Sequence, residues 1–413
     1  MRAKSVGLAV ALVLASTSAG LAQDRCGGGL NLTVGCSGLS IGNSESVNGL
    51  RINWSDSRLG VINGVNSTLW KPKRQGRDDW LSPPRGTVNG LAVGLFPAAD
   101  YLNGISLGLA AVVSGRRTAG LSFGLLAAVS EGSMYGVNVG GLALVAEGTI
   151  EGLNLGGLAM VSQRGMAGLN LGGLALVAQG SIEGINAGGL AVVSQRGMWG
   201  INASLLANVA QGRMVGVNLS GLALVSQRGI TGINFGGLAT VAQGPIRGLS
   251  LSLLAVVSQG GMVGINVGGL AAVAQDEIRG VTVAGLALVT QRGLWGLNVG
   301  GLAAVSQGPI QGVTASVGVV QTEDDIRGLA IGGYKIESWA MDGVALAIVR
   351  TRTRVFRGLT VAGYNHIERE QEGLAIGLYN RARRLKGIQI GLLNYAGNNP
   401  PALRYLPLVN AHF

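Results

Sequence analysis

From Gly104 to Arg327 the chain alternates an uncharged, mostly apolar run of eleven residues with a polar run of five, and this sixteen-residue unit occurs fourteen times without an insertion. One unit reads Gly168-Leu-Asn-Leu-Gly-Gly-Leu-Ala-Leu-Val-Ala-Gln-Gly-Ser-Ile-Glu183. Self-similarity at a fixed period outranks any local reading. Sixteen residues are too few for a pair of helices, and each of the two or three glycines per unit would cost a helix about 1 kcal/mol. The pattern predicts β-strands separated by turns. Period two puts Leu169, Leu171, Gly173, Ala175 and Val177 on one face and Asn170, Gly172, Leu174, Leu176 and Ala178 on the other. The first face is apolar; the second is small and weakly polar.

Charge sharpens this picture. All nineteen charged side chains between Gly104 and Arg327 fall in the five polar positions of their units, from Arg116 and Glu131 to Asp325 and Arg327. A soluble sheet with one solvated face would carry some of them within its strands. An eleven-residue run with no charge on either face matches the ~9–11 residues of a tilted strand that crosses a bilayer. The turns alternate as well: Ser162, Ser194 and Ser226 precede Gln-Arg-Gly, whereas Ala178, Ala210 and Ala242 precede Gln-Gly. Two alternating turn types suit the two ends of an antiparallel meander. The expected fold is therefore all-β, an antiparallel meander closed as a transmembrane β-barrel. The alternative is a parallel β-solenoid, with Leu174 and its equivalents in the core and the repeated Asn as an internal ladder; duplication of a 32-residue unit would leave the same alternation there.

Outside the repeats, Gly49-Leu-Arg-Ile-Asn-Trp54 and Gly90-Leu-Ala-Val-Gly-Leu95 read as further strands. So do Gly358-Leu-Thr-Val-Ala-Gly-Tyr-Asn365, Gly373-Leu-Ala-Ile-Gly-Leu-Tyr-Asn380 and Gly387-Ile-Gln-Ile-Gly-Leu-Leu-Asn394. Between the first two, Lys71–Asp79 and Pro83-Pro-Arg85 form one long polar connection, an exposed loop by composition. At the N-terminus, Arg2 and Lys4 precede an apolar run from Val6 to Ala15 and a small-residue stretch ending at Ala22, the order of a secretory signal. Export places Cys26 and Cys36 in an oxidising compartment, where two cysteines ten residues apart form one local disulfide. The expected organisation is a signal peptide over 1–22, an N-terminal β segment with the disulfide and polar loop over 23–86, sixteen-residue β repeats over 87–327, and irregular repeats with a closing strand over 328–413.

Composition removes other classes. With 72 glycines in 413 residues but only 9 prolines and no strict triplet period, the chain is not collagen, and 47% hydrophobic residues exclude ordinary disorder. His366 and His412 are the only histidines, and neither sits in a motif with a nucleophile and an orienting acid. His366 reads as a turn residue and His412 as an end-strand residue. Gly136-Val-Asn-Val-Gly-Gly141 is no phosphate cradle, because no helix follows it and it recurs in every unit. No catalytic, cofactor or metal site is expected. Few aromatics and no compact basic motif argue against nucleic acid. Arg164, Arg196, Arg228 and Arg292, in alternate turns, are candidate contacts for the phosphates of an outer-leaflet glycolipid.

The chain ends Arg404-Tyr-Leu-Pro-Leu-Val-Asn-Ala-His-Phe413. This resembles the C-terminal strand of bacterial outer-membrane β-barrels, with Tyr405, Val409 and Phe413 in the positions of an assembly signal read by outer-membrane assembly machinery; Pro407 departs from that pattern. The Gly-Leu-x-Ile-Gly-Leu-x-Asn units also resemble a family of bacterial surface-repeat proteins without an established activity, which implies a surface location. The expectation is an exported, non-enzymatic protein of the outer membrane or cell surface, partnered by membrane lipid and acting as a structural element or passive pore. A surface-exposed solenoid used in adhesion or amyloid-like assembly is the second expectation.

Overall fold

Each uncharged run bends in the middle, and that bend decides the architecture. In the computed structural model, which describes residues 26–71 and 83–413, the run Gly168–Ala178 contributes to two strands, Gly165–Gly172 and Ala175–Ala178, with a turn at Gly173 and Leu174 between them. The longer strand pairs in parallel with Thr149–Gly156 and Ser181–Gly188, so that Asn170 lies between Asn154 and Asn186. The shorter strand pairs in parallel with Ala159–Ser162 and Ala191–Ser194. Every residue thus meets its own equivalents sixteen positions away. The chain is an all-β repeat protein built as a parallel β-solenoid, and the expected antiparallel barrel is corrected. An eleven-residue run that bends after its fifth residue does not cross a bilayer as one strand.

The chain divides into two compact units, Met1–Ile201 and Asn202–Phe413. In the first, the antiparallel hairpin of Gly29–Val34 and Ser37–Gly42 precedes the coils, closed by the Cys26–Cys36 disulfide with Cα atoms 5.7 Å apart. Parallel coils then follow through Val47–Asn53, Val61–Thr68, Thr87–Gly94 and Ala98–Gly108. Both upstream strands expected from sequence are among them. The signal segment 1–22 and most of the polar connection after Lys71 lie outside the described residues.

In the second unit the same two-strand coils continue, as in Met262–Gly268 with Ala271–Ala274. Towards its end they lengthen into Lys335–Ala347, Arg350–Val361, Tyr364–Ile376 and Tyr379–Ala396. The last strand, Tyr405–His412, turns back antiparallel on Tyr379–Ala396. It covers the final coil as a cap, where the sequence suggested a barrel closure. Pro407 suits an edge strand, since it offers no N–H to a further neighbour.

The interior between the two sheets is narrow and layered. Met166, Asn170, Leu176 and Ala178 are buried in their coil, and equivalents stack above and below. Asn side chains run as an amide ladder: Asn138 to Asn154 and Asn154 to Asn170 at 2.9 Å, then Asn170 to Asn186 at 2.7 Å. In the second unit the ladder runs from Asn202 through Asn218 to Asn234. In the N-terminal coils Arg51 occupies the same column, fully buried, and is held by an ion pair with Asp56 and a 2.8 Å bond to Asn66. Glycine opens each long strand's uncharged half because only it fits. Gly168 has φ +107, and a Cβ there would sit 2.2 Å from the Gly152 carbonyl oxygen of the preceding coil.

Candidate functional site

The stacking that buries Asn170 and Leu176 also sorts the exterior by charge. Each coil turns twice, once at the uncharged Gly173–Leu174 bend and once through the polar residues that follow Ala178. Because the strands are parallel, every bend of one kind falls on the same edge within its unit. One edge collects the charged turns and the other collects leucines. In the Asn202–Phe413 unit the leucine edge runs through Leu206, Leu222, Leu238, Leu254, Leu270, Leu286 and Leu302, each 41–60% exposed apart from Leu238 at 40%. The outward faces beside it are apolar too, with Ile233, Phe235, Ile265 and Leu297 exposed. Contiguous apolar surface of this extent marks an interaction site.

Leu174 itself is 45% exposed, so the solenoid expectation that placed it in the core is corrected. The core leucine is Leu176, two residues on. The rest of the face assignment stands, with Asn170, Gly172 and Ala178 inward and Leu169, Leu171 and Val177 outward.

In the Asn202–Phe413 unit, charge approaches the leucine edge in the last coils. Lys335, Arg350, Tyr364 and Tyr379 occupy one outward column directly after the edge turn, and Glu337, Arg352, His366 and Arg381 occupy the next. Tyr364 stacks on Tyr379 at 5.1 Å and on His366 at 5.5 Å, while the Arg350 guanidinium lies 5.4 Å from the Tyr364 ring centroid. Arg381 lies 5.8 Å from the ring of Tyr395. Arg352 is bound by Glu368 at 2.8 Å, and this hydrogen bond holds the Glu368 carboxyl below its ordinary pKa. Arg350 and Arg381 have no carboxylate partner among the described residues. Burial, then the charges of Arg381 and Arg350, push the His366 pKa below its usual value. Its Nδ1 faces Arg350 Nη2 at 3.3 Å, and since guanidinium only donates, Nδ1 accepts. His366 lies within the strand Tyr364–Ile376, not in the turn expected from sequence. This patch was invisible in sequence because its members come from three coils of irregular length.

The remaining candidates fall elsewhere. Arg164 and Arg196 in the first unit, and Arg228 and Arg292 in the second, are exposed in the charged turns, on the edge opposite the leucines of their unit. Arg292 pairs with Asp276 at 3.2 Å. Tyr405, Val409 and Phe413 are exposed on or beside the capping strand, Phe413 to 93%. His412 ends that strand and meets Asn399 at 2.6 Å. Among the described residues, no group of three or more His, Cys, Asp or Glu side chains is placed to hold a metal, and no helix is long and apolar enough to cross a membrane. Comparison with protein-family models, curated proteins and solved structures finds no match to this chain.

Proposed function

We propose that this chain is an exported, non-enzymatic β-solenoid displayed at a cell surface, where it serves adhesion or assembly through its uncharged edge. One observation carries the reading: in the Asn202–Phe413 unit the parallel sixteen-residue coils bring their charged turns to one edge and leave a line of leucines, Leu206 to Leu302, on the other. The interior is filled by the Asn ladder and its apolar neighbours, so function falls to the exterior. The signal-like N-terminus and the Cys26–Cys36 disulfide support export into an oxidising compartment. The resemblance to surface-repeat proteins agrees with display.

The test is a triple variant, Leu238→Asn, Leu254→Asn and Leu270→Asn, compared with the unaltered chain by sedimentation velocity and by adsorption to an apolar resin. The unaltered chain is expected to self-associate or adsorb, and the variant to remain dispersed with an unchanged far-UV spectrum. Equal behaviour of the two would defeat the proposal.

A further inference from the structure

Resting on the uncharged edge as the binding surface, we infer that the Asn202–Phe413 unit docks on a phosphate-bearing lipid leaflet. Its leucine edge enters the acyl region, and Arg350 and Arg381 meet headgroup phosphates. Three features of the unit select this occupant over a second copy of the chain.

The first is the height of the charge-free band. From the leucine edge at Gly301–Leu302 to Trp295 the long strand runs about six residues, or roughly 20 Å at about 3.3 Å per residue. One leaflet contributes about 15 Å of hydrocarbon. Trp295 therefore stands just beyond that depth, at the level where indole rings settle in membranes. Arg279 covers its ring at 5.3 Å, adding a cation where headgroups begin.

The second is charge complementarity. Between Lys335 and Lys386 the unit carries ten Lys and Arg against five Asp and Glu. Five of those cations are paired with carboxylates; among the five that are not, Arg350 and Arg381 lie in the columns beside the edge turn, and Arg350 Nε is buried without a hydrogen-bond partner. These two arginines flank His366, whose pKa is lowered first by burial and then by their charges. A bidentate anion of phosphate geometry satisfies guanidinium groups held in this way. A second copy of the chain would bring another cationic patch.

The third is the ring set. Tyr364 and Tyr379 share the outward column of Arg350 and lie one residue from the edge turn, pairing an apolar body with a polar tip as interfacial residues do. In these last coils the charge-free band narrows to the turn itself, at Ile348, Val349 and Leu378. Insertion is accordingly deepest at the leucine coils and shallow at the arginines. A groove of about 470 Å³, floored by Gly300, Gly301, Gly332 and Gly333 beside the edge, gives an acyl chain room to lie along the face.

The experiment is flotation of the full chain with vesicles of phosphatidylcholine alone and of phosphatidylcholine mixed with phosphatidylglycerol, at low and at high salt. The unaltered chain is expected to float with both, more strongly with the anionic vesicles at low salt. Arg350→Gln with Arg381→Gln should lower binding to anionic vesicles by about 30-fold, the effect of two surface charges, and lower binding to phosphatidylcholine, whose headgroup carries the phosphate without net charge, by less. Arg350→Lys with Arg381→Lys should restore the part of the anionic binding that is charge alone and not the bidentate part. The Leu238, Leu254 and Leu270 triple variant should float with neither. Inorganic phosphate at millimolar concentration should not release the bound protein, which separates a leaflet from a free-phosphate site.

Absence of flotation, or equal binding to both vesicle types with no response to the arginine changes, would overturn the inference. If flotation fails while the leucine variant still loses self-association, the lipid assignment falls and the adhesive edge stands. If both fail, both readings fall.

Discussion

The Ser162 hydroxyl accepts a hydrogen bond from the N–H of Gly165, three residues on, at 2.9 Å, and lies 2.7 Å from the Gly148 carbonyl of the preceding coil. Ser194 and Ser226 repeat the arrangement with Gly180 and Gly197, and with Gly212 and Gly229. Thr290 and Thr322 reach back in the same way to the carbonyls of Asp276 and Gly308. At Ser162, Ser194 and Ser226 one hydroxyl therefore serves its own Gln-Arg-Gly turn and the turn of the preceding coil, whose equivalent residue is Ala146, Ala178 or Ala210. The alternation of serine and alanine is local turn chemistry shared between neighbours.

Ser162→Ala should remove the bond to the Gly165 N–H and leave the Gly148 carbonyl only the 3.4 Å bond from the Arg164 N–H, costing about 1–3 kcal/mol. A lowered urea midpoint and faster amide exchange at Gly165 would register the loss. Ser181→Ala in the next turn removes only an exposed contact to Glu183 and should change the midpoint little. Equal effects of the two changes would refute the shared-hydroxyl account.

The Asn ladder gives a prediction of opposite sign. At Asn266, Thr282, Asn298 and Thr314 the column alternates amide and hydroxyl, and their buried side-chain polar atoms lack partners. Thr is too short to bridge where Asn170 bridges Asn154 and Asn186. Thr282→Asn should join Asn266 to Asn298 and raise stability by about 1 kcal/mol, whereas Asn170→Ala should lower it by about 1–3 kcal/mol. Denaturant midpoints of the two variants decide the matter; a destabilising Thr282→Asn would show that the interior there has no room for an amide.

His366 predicts a pH dependence. Its folded pKa lies below the unfolded value of about 6.5, so the unfolded chain binds the proton first. Stability contributed by the neutral ring is present above that value and is lost as pH falls below it towards the folded pKa. Glu368, held down mainly by its hydrogen bond from Arg352, adds a separate loss at lower pH, beneath the ordinary carboxylate pKa. His366→Gln should remove the upper window and leave the lower one, as thermal unfolding between pH 7.5 and 5 would reveal. An unchanged profile in that range would remove His366 from the account.

Much of the fold was legible in the residues. The period of sixteen, the β character, the Cys26–Cys36 disulfide and the inward course of Asn170, Gly172, Leu176 and Ala178 all followed from spacing and side-chain type. Strand direction did not. An uncharged run of eleven residues has the same composition whether it crosses a bilayer straight or bends at Gly173 and Leu174, and nothing in its alternation marks the bend. Leu174 looked like core for that reason, since period two continues through a turn that the sequence does not punctuate with charge or proline. The cationic patch was hidden for another reason: Arg350, His366 and Arg381 become neighbours only through coil-to-coil registers of fourteen or fifteen residues.

Parallel stacking underlies the leucine edge, the ladder and the patch alike, so strand direction is the quantity to measure. Val177 and Val193 are register partners on the outward face of the shorter-strand sheet. Spin labels attached through Val177→Cys and Val193→Cys, with the native disulfide intact, report their separation by dipolar broadening. Parallel coils predict backbones about 5 Å apart and strong broadening. An antiparallel hairpin between the same segments would hold these positions about 27 Å apart, some eight residues along the strand, and a spectrum without broadening would contradict the solenoid and everything built on it.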